Sequence, residues 1–284
     1  MDGDVPEGDV VVATWWETAA GVAGLSRSKG AKVILIQGYE TFPDFEPAGR
    51  DESWRLPLHK IVVSRWLEGI SRERFGDDRA SLVPNAVDVE QFRAAVRGKQ
   101  RCPTVGLVYN LEPCKGTDVA LAAFALAVKK MPELRLVAFG RPEPVAGMTL
   151  PPQARYVREP AQEELSGLYA SCDAWLFSSR AEGFGLPILE AMACRTPVIG
   201  TRAGAAPELL AEDGGMLVDI EKPEAMANAI VDVCGLSDTA WRKMSDAAYA
   251  TATGYTWKDA TVLFEQALQV AMERETMLET MAAT

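Results

Sequence analysis

Short apolar runs alternate with stretches of helical spacing along most of the chain. Residues 9–14 (DVVVAT) and 31–37 (AKVILIQ) read as buried strands, with small residues at helix-like spacing over 17–28 between them. Further strands are predicted at 60–63 and 81–84, on either side of a helix at 66–75. Beyond residue 103 the alternation resumes, with strands at 104–109, 134–139, 154–157, 174–177, 197–200 and 215–218. Helices fall between and after them at 117–130, 162–171, 187–194, 206–210 and 223–236. Strands alternating with helices imply parallel sheets made of βαβ units. The tail adds two helices. The second opens at Thr256 with Asp259 three residues on, a capping-box-like start. Its apolar positions Ala260, Leu263, Phe264, Ala267, Val270 and Ala271 keep helical spacing.

Residues 93–103 (RAAVRGKQRCP) break this alternation with charge, glycine and proline, which places a boundary near residue 99. The expected organisation is α/β: a short Rossmann-like lobe over 1–98, a complete doubly wound lobe over 99–254, and a helical segment over 255–284.

Composition narrows the function classes. The chain has 284 residues, 48% hydrophobic and 24% charged, a globular profile long enough to bury a sizeable core. A net charge of −11 argues against nucleic acid as a partner and against strong attraction to anionic membranes, although net charge says nothing about local patches. The cysteines are Cys102, Cys114, Cys172, Cys194 and Cys234, without a CxxC, so neither a zinc knuckle nor a disulfide framework is indicated and free cytosolic thiols are expected. The acidic start MDGDVPEGD is unlike a secretory signal, and the apolar runs are too short to span a bilayer. A cytoplasmic location is expected, with contact at the inner membrane face left open. His59 is the only histidine, which argues against most metal-hydrolase sites and against a Ser-His-Asp triad.

The densest chemistry lies in Glu182-Gly183-Phe184-Gly185-Leu186-Pro187-Ile188-Leu189-Glu190, between a predicted strand and a predicted helix. Two glycines let backbone approach a ligand, and Pro187 suits a helix start. N–H groups near Gly185 and Leu186 then favour polar or anionic groups. Glu182 on the loop and Glu190 on the helix flank one crevice at the carboxyl edge of the sheet. A capped strand-to-helix turn explains the glycines and proline alone, but not two carboxylates in the same nine-residue frame. Ahead of it, Lys115-Gly116 follows the strand 104–109 and precedes a helix, which sets an ammonium where a diphosphate would lie.

The motif E-G-F-G-L-P-x-L-E resembles the E-x7-E motif of glycosyltransferase family 4, whose members have the two-lobed GT-B fold. The agreement extends over 168–210, and Gly214 to Val218 and Tyr255-Thr256-Trp257 resemble later family elements. The resemblance implies that Glu190 holds nucleotide ribose hydroxyls and Glu182 contacts the donor sugar. Gly183, Phe184, Gly185 and Leu186 would hold sugar hydroxyls and phosphate, and Lys115 the diphosphate. Leu111, Lys115 and Gly116 match the family's G-R-L-x-x-x-K-G element, with Asn110 where the family has arginine and Tyr109 where it has glycine. Gly106, earlier in that segment, joins Asn110 as a donor-side expectation, and Arg158 would lie near the nucleobase. In the first lobe, Val83-Pro84-Asn85-Ala86-Val87-Asp88 resembles the family's P-N-G-V-D element. Residues 36–40 and 45–49 resemble rhamnosyltransferase-type members, which implies Tyr39 and Glu40 on the acceptor side. The last helix would cross back to the shortened first lobe.

The implied activity is retaining, metal-independent transfer from a nucleotide-diphosphate sugar to a hydroxyl of a glycan or lipid-linked acceptor, without a cofactor, in surface polysaccharide or glycan synthesis. The leaving diphosphate would be stabilised by Lys115 and helix-start N–H groups. The family's histidine after the first strand is replaced by Trp15, Trp16 and Glu17, and its N-terminal glycine-rich loop has no counterpart. A truncated, non-catalytic nucleotide-sugar-binding module is therefore the alternative. A nucleotide-sugar epimerase is disfavoured by the single histidine, and an NAD enzyme by the lack of G-x-G-x-x-G after an opening strand.

Overall fold

The computed structural model describes residues 2–39 and 47–282. In chain order its elements are β1 (Val10–Ala13), α1 (Trp16–Ala23), β2 (Ala31–Ile36), α2 (Pro47–Arg55), β3 (His59–Val62), α3 (Arg65–Phe75), β4 (Ser81–Leu82) and β5 (Thr104–Val108). There follow α4 (Thr117–Val128), β6 (Arg135–Gly140), β7 (Ala154–Arg158), α5 (Gln162–Ala170), β8 (Ala174–Phe177) and α6 (Leu186–Ala193). The chain continues with β9 (Val198–Thr201), α7 (Ala206–Leu209), β10 (Gly215–Val218), α8 (Pro223–Gly235), α9 (Asp238–Thr253) and α10 (Trp257–Ala282).

The strands form two parallel sheets, one ordered β1-β2-β3-β4 and the other β10-β9-β8-β5-β6-β7. Strands β3, β8 and β9 are buried along their whole length, the pattern of parallel strands covered on both faces. In the second sheet the chain builds outward from β5 through β6 to β7. It then returns beside β5 as β8 and builds the other way. The reversal between β5 and β8 is a topological switch point, where the loops leaving two neighbouring carboxyl ends diverge and open a crevice.

Helices α4 and α8 pack together over the second sheet, and α6 packs on α9. Beneath them Leu107, Phe124, Leu136, Ile188 and Trp175 are buried, aliphatic side chains of this kind contributing about 1.5–3 kcal/mol each. Trp241 of α9 is also fully buried and donates its indole N–H to the carbonyl of Asp173 at 2.8 Å, so its polar edge is satisfied.

Two compact units result, one of Met1–Asn85 with Lys258–Thr284 and one of Ala86–Trp257. The division comes before the glycine- and proline-punctuated stretch at 93–103, because that stretch is tied to the second unit. Arg97 donates to the Cys172 carbonyl at 2.5 Å and to Thr196 Oγ1 at 2.8 Å, and the backbone of Gln100 donates to Asp173 Oδ1 at 2.7 Å. Helix α10 falls almost wholly in the first unit, where Arg274 donates to His59 Nδ1 at 2.6 Å. Helix α2 is not anticipated by the apolar pattern. Its sequence PAGRDESWR offers one large apolar anchor, Trp54, and buries polar Arg50 and Ser53 instead, Ser53 Oγ donating to the Arg50 carbonyl at 2.7 Å.

Candidate functional site

The loop after β5 is shaped by its own short polar side chains. Asn110 Oδ1 accepts from the Glu112 N–H at 2.7 Å, turning the chain sharply. Thr117 Oγ1 donates to the Asn110 carbonyl at 2.7 Å and accepts from the Asn110 N–H at 3.1 Å, which closes the loop against the start of α4. A single 3-10 turn, Pro113–Lys115, then leads into Gly116 at φ 63°. A side chain at Gly116 would place its Cβ 2.0 Å from the Ser178 carbonyl oxygen. Only glycine combines that left-handed conformation with so close an approach, and the approach lays the loop on the carboxyl end of β8.

The loop after β8 completes the contact. Lys115 Nζ donates to Glu182 Oε1 at 2.8 Å, and Ser179 Oγ donates to the same oxygen at 2.9 Å. Ser178 Oγ donates to the Lys115 carbonyl at 3.1 Å. Burial pulls the Lys115 ammonium toward neutrality, but the attraction and hydrogen bond of the Glu182 carboxylate outweigh it, so its pKa is raised and it stays charged. The Lys115 side chain keeps 34% of its surface exposed and Glu182 15%, which leaves the ammonium the more accessible partner.

Arg180 locks the two loops together. It forms a fork with Asp118, at 2.9 and 2.7 Å, and also donates to the Pro113 carbonyl and to Glu221. Its own N–H donates to the Cys114 carbonyl at 2.7 Å. These bonds, those to Asp118 first, raise the Arg180 pKa further. Burial pushes the neighbouring Cys114 thiol up, despite the opposing pull of Lys115.

Gly185 caps α6 at φ 103°, a conformation that would strain any other residue, and its added Cβ would lie 2.8 Å from the Phe177 ring. Phe184 is buried beneath the 203–205 turn, its carbonyl accepting from the Ala205 N–H at 2.9 Å. That turn in turn packs on Glu182, since a Cβ on Gly204 would lie 2.9 Å from the Glu182 Cβ. Leu186, with 37% of its surface exposed, opens the helix; Pro187 brings no N–H and the Ile188 N–H donates to the Gly185 carbonyl at 3.0 Å, which leaves the Leu186 N–H as the first-turn donor among the described residues. Glu190 lies in the second turn and accepts from Tyr169 Oη at 2.5 Å. Burial raises its pKa, against the lowering effect of that hydrogen bond.

Lys115, Gly116, Glu182 and Gly183 to Leu186 thus converge at the β5/β8 switch point, as their positions in the sequence suggest. Asn110 sits there too, with its side-chain oxygen engaged by its own loop. Gly106 is corrected. It lies inside β5, and a Cβ there would stand 2.1 Å from the Trp175 ring and 2.7 Å from Cys172 Sγ, so this glycine makes room for core packing and not for a ligand. Arg158 ends the edge strand β7 and pairs with Glu143 at 2.6 Å. Tyr39 stands just past β2 in the first unit. It is 8% exposed, its hydroxyl donates to Asp51 at 2.8 Å, and the Arg50 guanidinium covers its ring at 3.9 Å. Glu40 lies outside the described residues. Arg180, Ser179 and Asp118 were missed by the sequence reading. The signal available for the first two was the Ser-Ser-Arg run directly ahead of Glu182.

Residues 102–235 match the family model "Glycosyl transferases group 1". The chain is 30% identical over 234 residues to a D-inositol 3-phosphate glycosyltransferase of Corynebacterium urealyticum, covering 76% of this chain and 52% of that protein. It is 35% identical over 108 residues to the O-antigen chain mannosyltransferase B of Escherichia coli, covering 38% of this chain and 28% of the relative. The matches span 44% to 52% of the first three curated relatives, so the chain corresponds to about half their length. Among solved structures, the sucrose-phosphate synthase of Thermosynechococcus elongatus superposes with a TM-score of 0.76 at 18% identity, covering 96% of this chain and 74% of that one. Anabaena HepE, solved in complex with UDP-glucose, superposes with a TM-score of 0.75 at 19% identity, covering 92% and 78%. The chain therefore has the two Rossmann-like units of the GT-B glycosyltransferase fold, and its second unit carries a group 1 glycosyltransferase domain.

Proposed function

We propose that this chain is a retaining, metal-independent glycosyltransferase of family 4 type that moves a sugar from a nucleotide-diphosphate donor to a hydroxyl acceptor. The observation that carries the reading is the Lys115–Glu182 pair, contributed by the loops leaving β5 and β8. A donor diphosphate offers Lys115 a stronger anionic partner than one carboxylate. Once Lys115 turns to it, Glu182 is released toward the donor sugar. As the bond from the anomeric carbon to the diphosphate oxygen breaks, charge builds on that oxygen, and Lys115 with the Leu186 N–H at the start of α6 stabilises it. Glu190 takes the ribose hydroxyls in exchange for part of its contact with Tyr169.

Two relatives support finer choices. HepE was solved with UDP-glucose, which makes uridine the first base to test, and the O-antigen mannosyltransferase favours a role in surface polysaccharide synthesis on a glycan or lipid-linked acceptor. Transfer would then take place at the cytoplasmic face of a membrane. The match to about half of each relative's length favours a second reading, a nucleotide-sugar-binding module without turnover.

Calorimetry with UDP, GDP and ADP, and with their sugars, tests the donor site. Lys115→Ala is expected to weaken nucleotide diphosphates by about tenfold or more and to leave the nucleoside unchanged, the loss of one charge-assisted contact. Equal affinities of the native protein and the variant for every diphosphate would overturn the reading. Tight donor binding with neither transfer nor donor hydrolysis would favour the module.

A further inference from the structure

A second charged site lies in the first unit, at the amino edge of the four-stranded sheet. A groove of about 690 Å³ is lined by the start of β3, the 76–79 turn, the end of α2 and one face of α10. That volume is in the range of small-molecule sites. Its floor is a neutralised pair: Lys60, 4% exposed, donates to Asp77 Oδ2 at 2.7 Å. Above the floor the balance is cationic. Lys32, Arg55, Lys60, Arg79 and Arg274 line the groove against Asp77 and Glu275, in a chain whose net charge is −11.

Arg274 is held by acceptors that carry no charge. It donates to His59 Nδ1 at 2.6 Å and to the Arg79 carbonyl at 3.1 Å. His59 in turn shares a hydrogen bond with Ser81 Oγ at 2.9 Å through Nε2, and burial, reinforced by the Arg274 charge, lowers its pKa to about 4. It is therefore neutral at physiological pH, and it orients the guanidinium without compensating it. Burial first, and then the nearby Arg79, depress the Arg274 pKa against the opposing pull of Asp77 and Asp78. Arg55 lies over the Phe75 ring at 5.3 Å, and neither Arg55 nor Arg274 has a carboxylate partner among the described residues. Beside these charges the wall is apolar, with Trp54, Leu56, Pro57 and Phe75.

We propose that this groove binds a phosphate oxyanion carried on an apolar group, with Arg274 and Arg55 holding the phosphate and the Trp54–Pro57 wall covering the apolar part. The site is separate from the Lys115–Glu182 crevice and does not depend on its function. A phosphate fits better than a single carboxylate, because it can accept from both guanidinium groups at once. The apolar wall distinguishes the ligand from a free ion, since burying hydrocarbon adds affinity that inorganic phosphate lacks.

The test is calorimetry with dihexanoyl phosphatidic acid below its aggregation limit and with inorganic phosphate, on the native protein and on Arg55→Gln/Arg274→Gln. The native protein is expected to bind the short lipid about tenfold or more tightly than inorganic phosphate, and the double variant to lose about tenfold or more of that affinity. Arg72→Gln/Arg93→Gln removes the same charge from exposed positions elsewhere and is expected to bind as the native protein does. Arg55→Gln alone breaks no hydrogen bond among the described residues and provides the readout if the double variant fails to fold. Co-sedimentation with phosphatidylglycerol vesicles but not phosphatidylcholine vesicles, lost in the double variant, would assign the phosphate to a lipid headgroup. Short-lipid binding without sedimentation would assign it to a soluble phosphorylated ligand. Absence of binding by the native protein, or equal loss in the exposed control, would overturn the proposal.

Discussion

The two units hold their charged groups in different ways. In the six-stranded unit, Lys115 and Glu182 meet because backbone passes close to backbone, through Gly116 against Ser178 and Gly204 against Phe184. In the four-stranded unit, His59, Lys60, Asp77 and Arg274 meet by side chain on side chain. Backbone clearance makes the first arrangement sensitive to any added atom, whereas the second depends chiefly on the charges it pairs.

The largest effect expected from that contrast is on Gly106. Gly106→Val would drive a branched side chain into Trp175, which is fully buried, and should cost about 3 kcal/mol or more of stability, read from denaturant titration. A near-neutral result would mean that the second unit has room its packing does not show. Next is Arg180→Ala, which removes the fork to Asp118 and the bond to the Pro113 carbonyl. It should raise the donor KM several-fold with a smaller change in kcat, because the Lys115 loop is loosened while Lys115 itself remains. Arg180→Lys should recover only part of the loss, since an ammonium cannot reproduce the fork. A fall in kcat alone would contradict a positioning role.

The smallest and most diagnostic effects concern two carboxylates whose titrations run in opposite directions. For Asp77, burial raises the pKa, but the hydrogen bonds from Lys60 and the Arg79 backbone prevail and bring it to about 2. Its contribution is present above the ordinary value of 3.8 and is lost as pH falls through about 2. Asp77→Asn should therefore destabilise the protein at pH 7 by roughly 1–2 kcal/mol, with the difference closing below pH 3.8. For Glu190 the folded pKa is raised, so its protonated form is the one the fold prefers. That preference is present at low pH and lost as pH rises through the raised value. Glu190→Gln should raise Tm at pH 7, with the gain vanishing in acid, while weakening nucleotide binding. Thermal melts of both variants from about pH 2 to 7 check the two signs together, and parallel curves would remove the contrast.

Much of this was legible in the sequence, for physical reasons that differ by element. Apolar runs located β2, β5, β8 and β9 because strands covered on both faces need near-continuous apolar sequence. Helix α2 escaped because it buries Arg50 and Ser53, so its amphipathic pattern is inverted. The spacing of Lys115 and Glu182 relative to their strands was enough to anticipate one crevice, since parallel strands put both carboxyl ends at one edge. Gly106 was misassigned because a glycine in a strand serves packing as readily as binding, and only the position of Trp175 decides which. Arg180 was overlooked because its partners, Asp118 at the start of α4 and Glu221 after β10, are distant in sequence, so the Ser-Ser-Arg run shows the charge without what it pairs with.

One feature of the connectivity governs the order in which the molecule is made. The second unit is continuous in sequence, whereas the first is completed only by α10, and the Arg274–His59 bond closes across 215 residues. During synthesis at about 5–20 residues per second, the whole second unit is translated before α10. The four-stranded sheet must wait, with the amino ends of β3 and β4 uncovered, until its last helix arrives. The groove on α10 therefore forms only after the chain of the second unit has been made.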